Sequence, residues 1–158
     1  MSDIHIAGTG IWYPEDKISN LELVESYNNY VKRFNIDNNQ KINSGDISRM
    51  EESSVEFIEK ASGIKSRHVI DKEGILDINR MMPKVINEDP DKLSIHADAG
   101  IKAAKDAMNQ ANISSEEIDA VIVGTSHAPR NYPAVAIEIQ KELNITGYAY
   151  DMLVGCSS

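Results

Sequence analysis

Ile118-Asp119-Ala120-Val121-Ile122-Val123-Gly124 is a near-continuous apolar run. Runs of this length and composition mark strands buried on both faces, as in parallel sheets covered by helices. The sequence just upstream supports that reading. Asp91 or Ser94 is placed to start a helix over residues 93–112, in which Ile95, Ala99, Ala103, Ala107 and Ala111 recur at every fourth position, with Met108 alongside. A face of alanines lets a helix approach its neighbour closely. Ser114-Ser115-Glu116-Glu117 caps a turn before the apolar run. Downstream, a loop over 125–132 holds His127, Pro129 and Arg130, a small-residue helix is expected over 133–143, and residues 147–155 form a last buried strand. That strand leads into Gly155-Cys156-Ser157-Ser158.

The first part of the chain is less regular. Ile4-His5-Ile6-Ala7-Gly8-Thr9-Gly10-Ile11-Trp12 begins as an alternating strand and breaks at two glycines before Pro14. A phosphate-cradling fingerprint would need a third glycine where Tyr13 stands, so these glycines are expected to serve strand-end geometry and a dinucleotide-binding domain is disfavoured. Ser19 or Asn20 caps a helix running to about Phe34. Ser53-Ser54-Val55-Glu56 opens another that Gly63 stops, and Arg67 to Asp71 resembles a short strand. Residues 35–52, polar and rich in Asn, and residues 72–92, with two prolines and two methionines, are expected to be surface insertions. The order of elements is that of an α/β layered fold, without internal repeats.

Bulk properties narrow the function. The chain has 158 residues, enough for one ordinary domain, with 41% hydrophobic and 26% charged residues. Sixteen basic residues against 25 acidic ones give a net charge of −9, which disfavours binding to nucleic acid or anionic membrane. No run of about 18 apolar residues is present to span a membrane, and no basic segment followed by an apolar stretch opens the chain. One cysteine allows no internal disulfide, and no Cys/His cluster has metal-ligand spacing. A soluble, reduced, cytoplasmic protein without metal is expected. Cys156 itself admits two readings: a small buried hydrophobe, or a thiol placed at a strand-to-helix turn where backbone N–H groups favour thiolate.

Six segments in register resemble one family. Ile6-Ala7-Gly8-Thr9-Gly10 with Pro14, Ser62-Gly63-Ile64-Lys65-Ser66-Arg67-His68, Ala97 to Ala111 leading through Ile118 to Ser126, Tyr132-Pro133-Ala134 with Ile139-Gln140, Leu143-x-Ile145-x-Gly147, and Asp151 to Ser158 are similar to the first half of β-ketoacyl-acyl-carrier-protein synthase III. The match spans almost the whole chain apart from 35–52 and 72–92. The resemblance implies a thiolase-like α-β-α-β-α half with a mixed sheet, and Cys156 as the nucleophile that takes an acyl group from acyl-CoA. Condensation with malonyl-acyl-carrier-protein and loss of carbon dioxide would follow. It also implies no cofactor beyond these substrates, a homodimer, and an oxyanion hole built partly by the backbone N–H at the cysteine.

The chain departs from the family at several points. The family's second half, with its catalytic His and Asn, has no counterpart in residues 1–158, so the chain is expected to be the N-terminal half of a longer or two-part enzyme and inactive alone. His5, His68, His96 and His127 do not replace that histidine; of them only His127, in the loop before Tyr132, is a candidate for a direct site role. Phe57 stands where the family stacks an aromatic on the CoA adenine, while Ala61 replaces the usual basic residue, leaving Phe57 open between core and stacking platform. Tyr132 matches an aromatic that in the family crosses the dimer to bound the partner's acyl pocket, the alternative being a packed loop aromatic; Pro133 follows it as a substrate-binding candidate. The two insertions can reshape the pocket mouth toward a starter longer than acetyl. Other readings remain: a 3-hydroxy-3-methylglutaryl-CoA synthase-like acyltransferase, or a catalytically silent half serving as an interaction subunit.

Overall fold

The computed structural model describes residues 4–84 and 91–157. They form two compact units, one of Met1–Trp12 with Asn87–Ser158 and one of Tyr13–Ile86. Both contain helices and strands, and the strand pairings run in both senses, one pair antiparallel and one parallel.

In the first unit, Ala120–Gly124 (β3) and Tyr148–Met152 (β4) pair in parallel, Ala120 opposite Tyr148 and Gly124 opposite Met152. Helices Ile95–Ala111 (α5) and Val135–Glu142 (α6) cover one face of this ladder. Ser94 caps α5, its side chain accepting from the Ala97 N–H, and Asn112 ends it in the left-handed conformation. The core is Ala97 and Ile101 of α5, Val135 and Ile139 of α6, then Leu143 and Ile145, with Val121 and Val123 of β3 packed against it. The apolar run of β3 was expected to be buried on both faces. It is covered on one: Ile122 is 52% exposed, and Tyr148, Tyr150 and Met152 of β4 are exposed too. Side chains alternate across a strand, so α5 and α6 can cover only the Val121 and Val123 side.

Residues 4–12, expected to begin as a strand, join no strand ladder among the described residues. Their neighbour is the alanine face of α5. A Cβ at Gly8 would meet the Ala107 carbonyl at 2.6 Å and the Ala111 Cβ at 2.9 Å, and one at Gly10 would run into the backbone of Ala103 and Ala107. The two glycines thus serve close approach to a helix rather than a strand end. The Ile11 N–H donates to Asp106, and Lys102 lies 4.6 Å from the centre of the Trp12 ring.

In the second unit, Lys17–Ser19 (β1) pairs antiparallel with Ser66–His68 (β2), and Asn20–Asp37 (α1) leaves β1 through a capping box between Ser19 and Glu22. Two further helices are short, Asn39–Asn43 (α2) and Lys72–Leu76 (α4); Val55–Ser62 (α3) starts at the Ser54 cap and stops at Gly63, whose φ is +71°. Ile18, Val24 and Val31 are buried. Two asparagines of α1 tie down the segment that follows α2. Asn35 pairs with both backbone groups of Met50, and Asn28, within α1, does the same with Ser53, each amide standing in for a peptide group. Residues 35–37 belong to α1 itself. Within 72–92, Ser26 and Arg33 of α1 donate to the carbonyls of Leu76 and Ile78, and residues 85–90 lie outside the described residues.

The Glu22 carboxyl is held down to about 2, first by its hydrogen bond with Lys72, then by the Ser19 N–H and hydroxyl. A carboxyl depressed in the folded state stabilises above its unfolded value of 4.5 and loses that contribution as pH falls toward 2. Thermal unfolding between pH 5 and 2 is therefore expected to steepen with Glu22 present and to flatten in Glu22→Gln; equal slopes would overturn the assignment.

Candidate functional site

Because β3 and β4 are parallel, the segments after them leave from the same edge of the ladder. In α/β sheets ligands gather outside the carboxyl ends of the strands. The Thr125 N–H donates to the Met152 carbonyl, extending the ladder by one bond at that edge. From here, residues 125–134 carry His127, Tyr132 and Pro133, and residues 153–157 carry Cys156.

Cys156 sits in a single 3-10 turn, Gly155–Ser157, closed by the Ser157 N–H donating to the Val154 carbonyl. Gly155 has φ +59°, a conformation that favours glycine and lets the chain turn sharply off β4. Among the described residues the thiol is free and exposed. Leu153 and Val154, just before the turn, are each 55% exposed.

Tyr132 is 86% exposed and joined to Pro133 by a cis peptide bond. It does not pack as an ordinary loop aromatic. The loop is tied down on either side of it. Thr125 Oγ1 exchanges hydrogen bonds with the backbone of His127, whose ring lies 6.1 Å from that of His96. Arg130 donates to Glu138, and Asp151 of β4 accepts from the Val135 and Ala136 N–H groups. Sequence reasoning passed over Glu138 and Asp151. The available signal was an acidic residue inside each of two apolar segments.

Phe57 lies in the other unit. It is 67% exposed and lines, with Leu23, Val24, Tyr27, Ile58 and Met81, an apolar cavity of about 480 Å³. It is therefore not a core residue of α3. Of the remaining histidines, His68 contacts the Pro14 carbonyl through Nδ1 and packs on Tyr13, a structural role, and His5 is exposed. Among the described residues no group of three or more His, Cys, Asp or Glu is placed to hold a metal ion, and no helix is long and apolar enough to cross a membrane.

Comparison with known proteins completes the assignment of class. The chain superposes on β-ketoacyl-[acyl-carrier-protein] synthase III of Thermus thermophilus with a TM-score of 0.62 at 22% identity, covering 97% of this chain and 34% of that one. It therefore has the α/β fold of the N-terminal part of a thiolase-like protein. In sequence it is 47% identical over 135 residues to a β-ketodecanoyl-[acyl-carrier-protein] synthase of Pseudomonas aeruginosa, covering 85% of this chain and 39% of that protein. It is 30% identical over 139 residues to the β-ketoacyl-[acyl-carrier-protein] synthase III of Wolbachia pipientis, covering 87% of this chain and 36% of that protein. The chain is thus a homologue of β-ketoacyl-[acyl-carrier-protein] synthase III and corresponds to its N-terminal segment, spanning under two fifths of these relatives' length. No family model matches it.

Proposed function

We propose that this chain is the nucleophile-bearing half of a condensing enzyme. Cys156 takes an acyl group from acyl-CoA and passes it to a malonyl unit carried on acyl carrier protein. The observation that carries this reading is an exposed cysteine on a glycine-led turn at the carboxyl edge of a parallel strand pair. In the first step the Cys156 thiolate attacks the thioester carbonyl, the carbon–sulfur bond to CoA breaks, and CoA departs as a thiol after taking a proton. In the second, the malonyl carboxylate leaves as carbon dioxide. The carbanion so formed attacks the acyl-enzyme carbonyl, and the Cys156 thiolate is regenerated. Backbone N–H donors around the turn stabilise the oxyanion of both steps. The histidine and asparagine that handle the malonyl unit in the family come from a segment other than residues 1–158. The exposed apolar face of β3 and β4, with Ile122, Tyr148 and Tyr150, supports a second layer that covers it. The complete enzyme is cytoplasmic and works as a homodimer, Tyr132 of each subunit bounding the acyl pocket of the other.

The starter is a medium-length acyl group. The Pseudomonas relative is named for a β-ketodecanoyl product. Removing the two carbons that malonyl contributes leaves an acyl group of about eight carbons. Mass spectrometry of the intact complete enzyme after incubation with acyl-CoAs from acetyl to dodecanoyl tests this. One acyl adduct, formed fastest with octanoyl-CoA, is expected. An adduct fastest with acetyl-CoA would overturn the chain-length assignment, and no adduct with any would overturn the function.

Phe57 offers its exposed ring to the CoA adenine. Stacking of this kind is worth about 1–3 kcal/mol per base, so Phe57→Ala is expected to raise the KM for acyl-CoA roughly tenfold while leaving acyl-pantetheine unchanged. Equal losses with both substrates would reduce Phe57 to a cavity wall.

A further inference from the structure

The loop that carries Tyr132 is held by three charged side chains that the condensation chemistry does not use. Ala134, at the N-cap of α6, has no side chain to satisfy the first helical N–H groups. Asp151 supplies what is missing from across the ladder. Its Oδ2 accepts from the Val135 N–H and its Oδ1 from the Ala136 N–H, both at 2.8 Å. Asp151 belongs to β4, the strand that leads to Cys156, and Val135 follows Tyr132 by three residues. A carboxylate at a helix N-terminus is favoured by the helix dipole as well as by the two bonds. The end of the loop is thereby registered against the nucleophile strand.

A second clamp holds the middle of the loop. Arg130 Nη2 donates to Glu138 Oε2 and to the Lys92 carbonyl, each at 2.8 Å. The same Oε2 accepts from the Ser94 N–H at 2.7 Å, at the start of α5. The Glu138 side chain is 6% exposed and that of Arg130 20%. One carboxylate oxygen thus joins loop, α6 and α5. Glu138 Oε1 is buried with no hydrogen-bond partner among the described residues. A buried ion pair left partly unsatisfied is a weak source of net stability, and its stronger effect is on geometry.

We propose that Arg130, Glu138 and Asp151 are positioning residues that fix the loop carrying Tyr132 on its own subunit and thereby set the acyl chain length accepted in the pocket that Tyr132 bounds across the dimer. None of the three touches the substrate. Tyr132 is itself 86% exposed, so its place is decided by its backbone, which the two clamps hold on either side. A wall built from such a side chain meets the far end of a long acyl group and not an acetyl group. Displacing it therefore changes the ratio of long-chain to short-chain acylation, whereas general loosening lowers both together. The inference rests on the functional reading above, in which Cys156 is acylated and Tyr132 bounds the pocket.

The test measures Cys156 acylation rates by intact mass in the complete enzyme, with octanoyl-CoA and acetyl-CoA, in Arg130→Gln, Glu138→Gln and Asp151→Asn. Glu138→Gln and Asp151→Asn keep the shape of the side chain and remove its charge, while Arg130→Gln shortens the side chain and removes the Nη2 that makes both bonds. The octanoyl-to-acetyl rate ratio is expected to change by about tenfold or more in each, because an ångström of misplacement in a binding wall costs that much. Arg130→Lys keeps one cationic donor for both acceptors and is expected to restore most of the ratio. In Asp151→Asn, hydrogen exchange is expected to quicken at the Val135 and Ala136 amides while the Ile101 amide stays protected. Variants that keep the wild-type ratio, or lose acetyl and octanoyl acylation in equal measure, would overturn this inference alone. A wild-type enzyme acylated by neither substrate would overturn the functional reading and this inference with it.

Discussion

Cys156→Ala in the complete enzyme is expected to abolish the acyl adduct and to cut condensation by at least about 10³-fold, the scale on which removal of a covalent nucleophile is felt. Cys156 is the single thiol among residues 1–158, so no other thiol of this segment can take over the acyl group. It is also exposed, on a turn whose shape depends on Gly155 rather than on the thiol. Its replacement by alanine is expected to leave the melting temperature near the wild-type value, which would separate loss of activity from unfolding. Cys156→Ser separates nucleophilicity from shape. A serine hydroxyl is far less acidic than a thiol and has no dedicated base among the described residues of the turn, so it is expected to acylate at a small fraction of the wild-type rate. Persistent stoichiometric acylation in the alanine variant would assign the chemistry elsewhere and leave the silent-subunit reading in its place.

The largest effect on stability is expected at Gly147. This residue immediately precedes β4, and a Cβ there would overlap the carbonyl of Asp119, just before β3. That carbonyl also accepts the Tyr148 N–H at 3.1 Å, and the Gly147 carbonyl accepts from Gln140 of α6 at 2.7 Å. Both neighbours are backbone or fixed by backbone, so the clash cannot be relieved by a rotamer change. Gly147→Ala is expected to cost about 3 kcal/mol or more, at the upper end for overpacking. Gly45→Ala is the control. Gly45 has φ +83° and open space around its Cα, so only backbone strain of about 1 kcal/mol is expected. Chemical denaturation of both variants checks the contrast, and equal losses would show that the close approach at Gly147 is relieved by a small shift of the chain.

Much of the local structure was legible because it rests on local chemistry. Ser19, Ser54 and Ser94 cap helices since their side chains can accept from N–H groups three residues on, and Gly63 ends α3 since it tolerates a positive φ. β3 and β4 were legible from their apolar runs. Residues 4–12 were not, because alternation in a short segment reports which faces differ and not what lies beside them. There the partner is the alanine face of α5. The same limit applies to the extent of burial. Among the described residues only one face of the run through Ile122 meets helices, and an apolar run does not say which residues cover it.

The candidate site divides along the same line. The glycine-led turn at Cys156 and the loop before a helix at Tyr132-Pro133 could be read from residues adjacent in sequence, while the roles expected of them came from the resemblance to the synthase III family. Tyr132 and Pro133 precede Asp151 by some twenty positions, and nothing local predicts that its carboxylate caps α6. Nor does a lone glutamate in an apolar helix reveal whether it meets water or Arg130. Hydrogen bonds between distant segments follow from strand register and helix placement, which are properties of the packed whole. The sequence by itself determined most of the elements and their caps, and with the family resemblance it pointed to Cys156 as the candidate nucleophile. Only the tertiary structure decided which edge of the ladder gathers the site and which charges hold its loop, because only packing brings Asp151, Glu138 and Arg130 within hydrogen-bond distance of their partners.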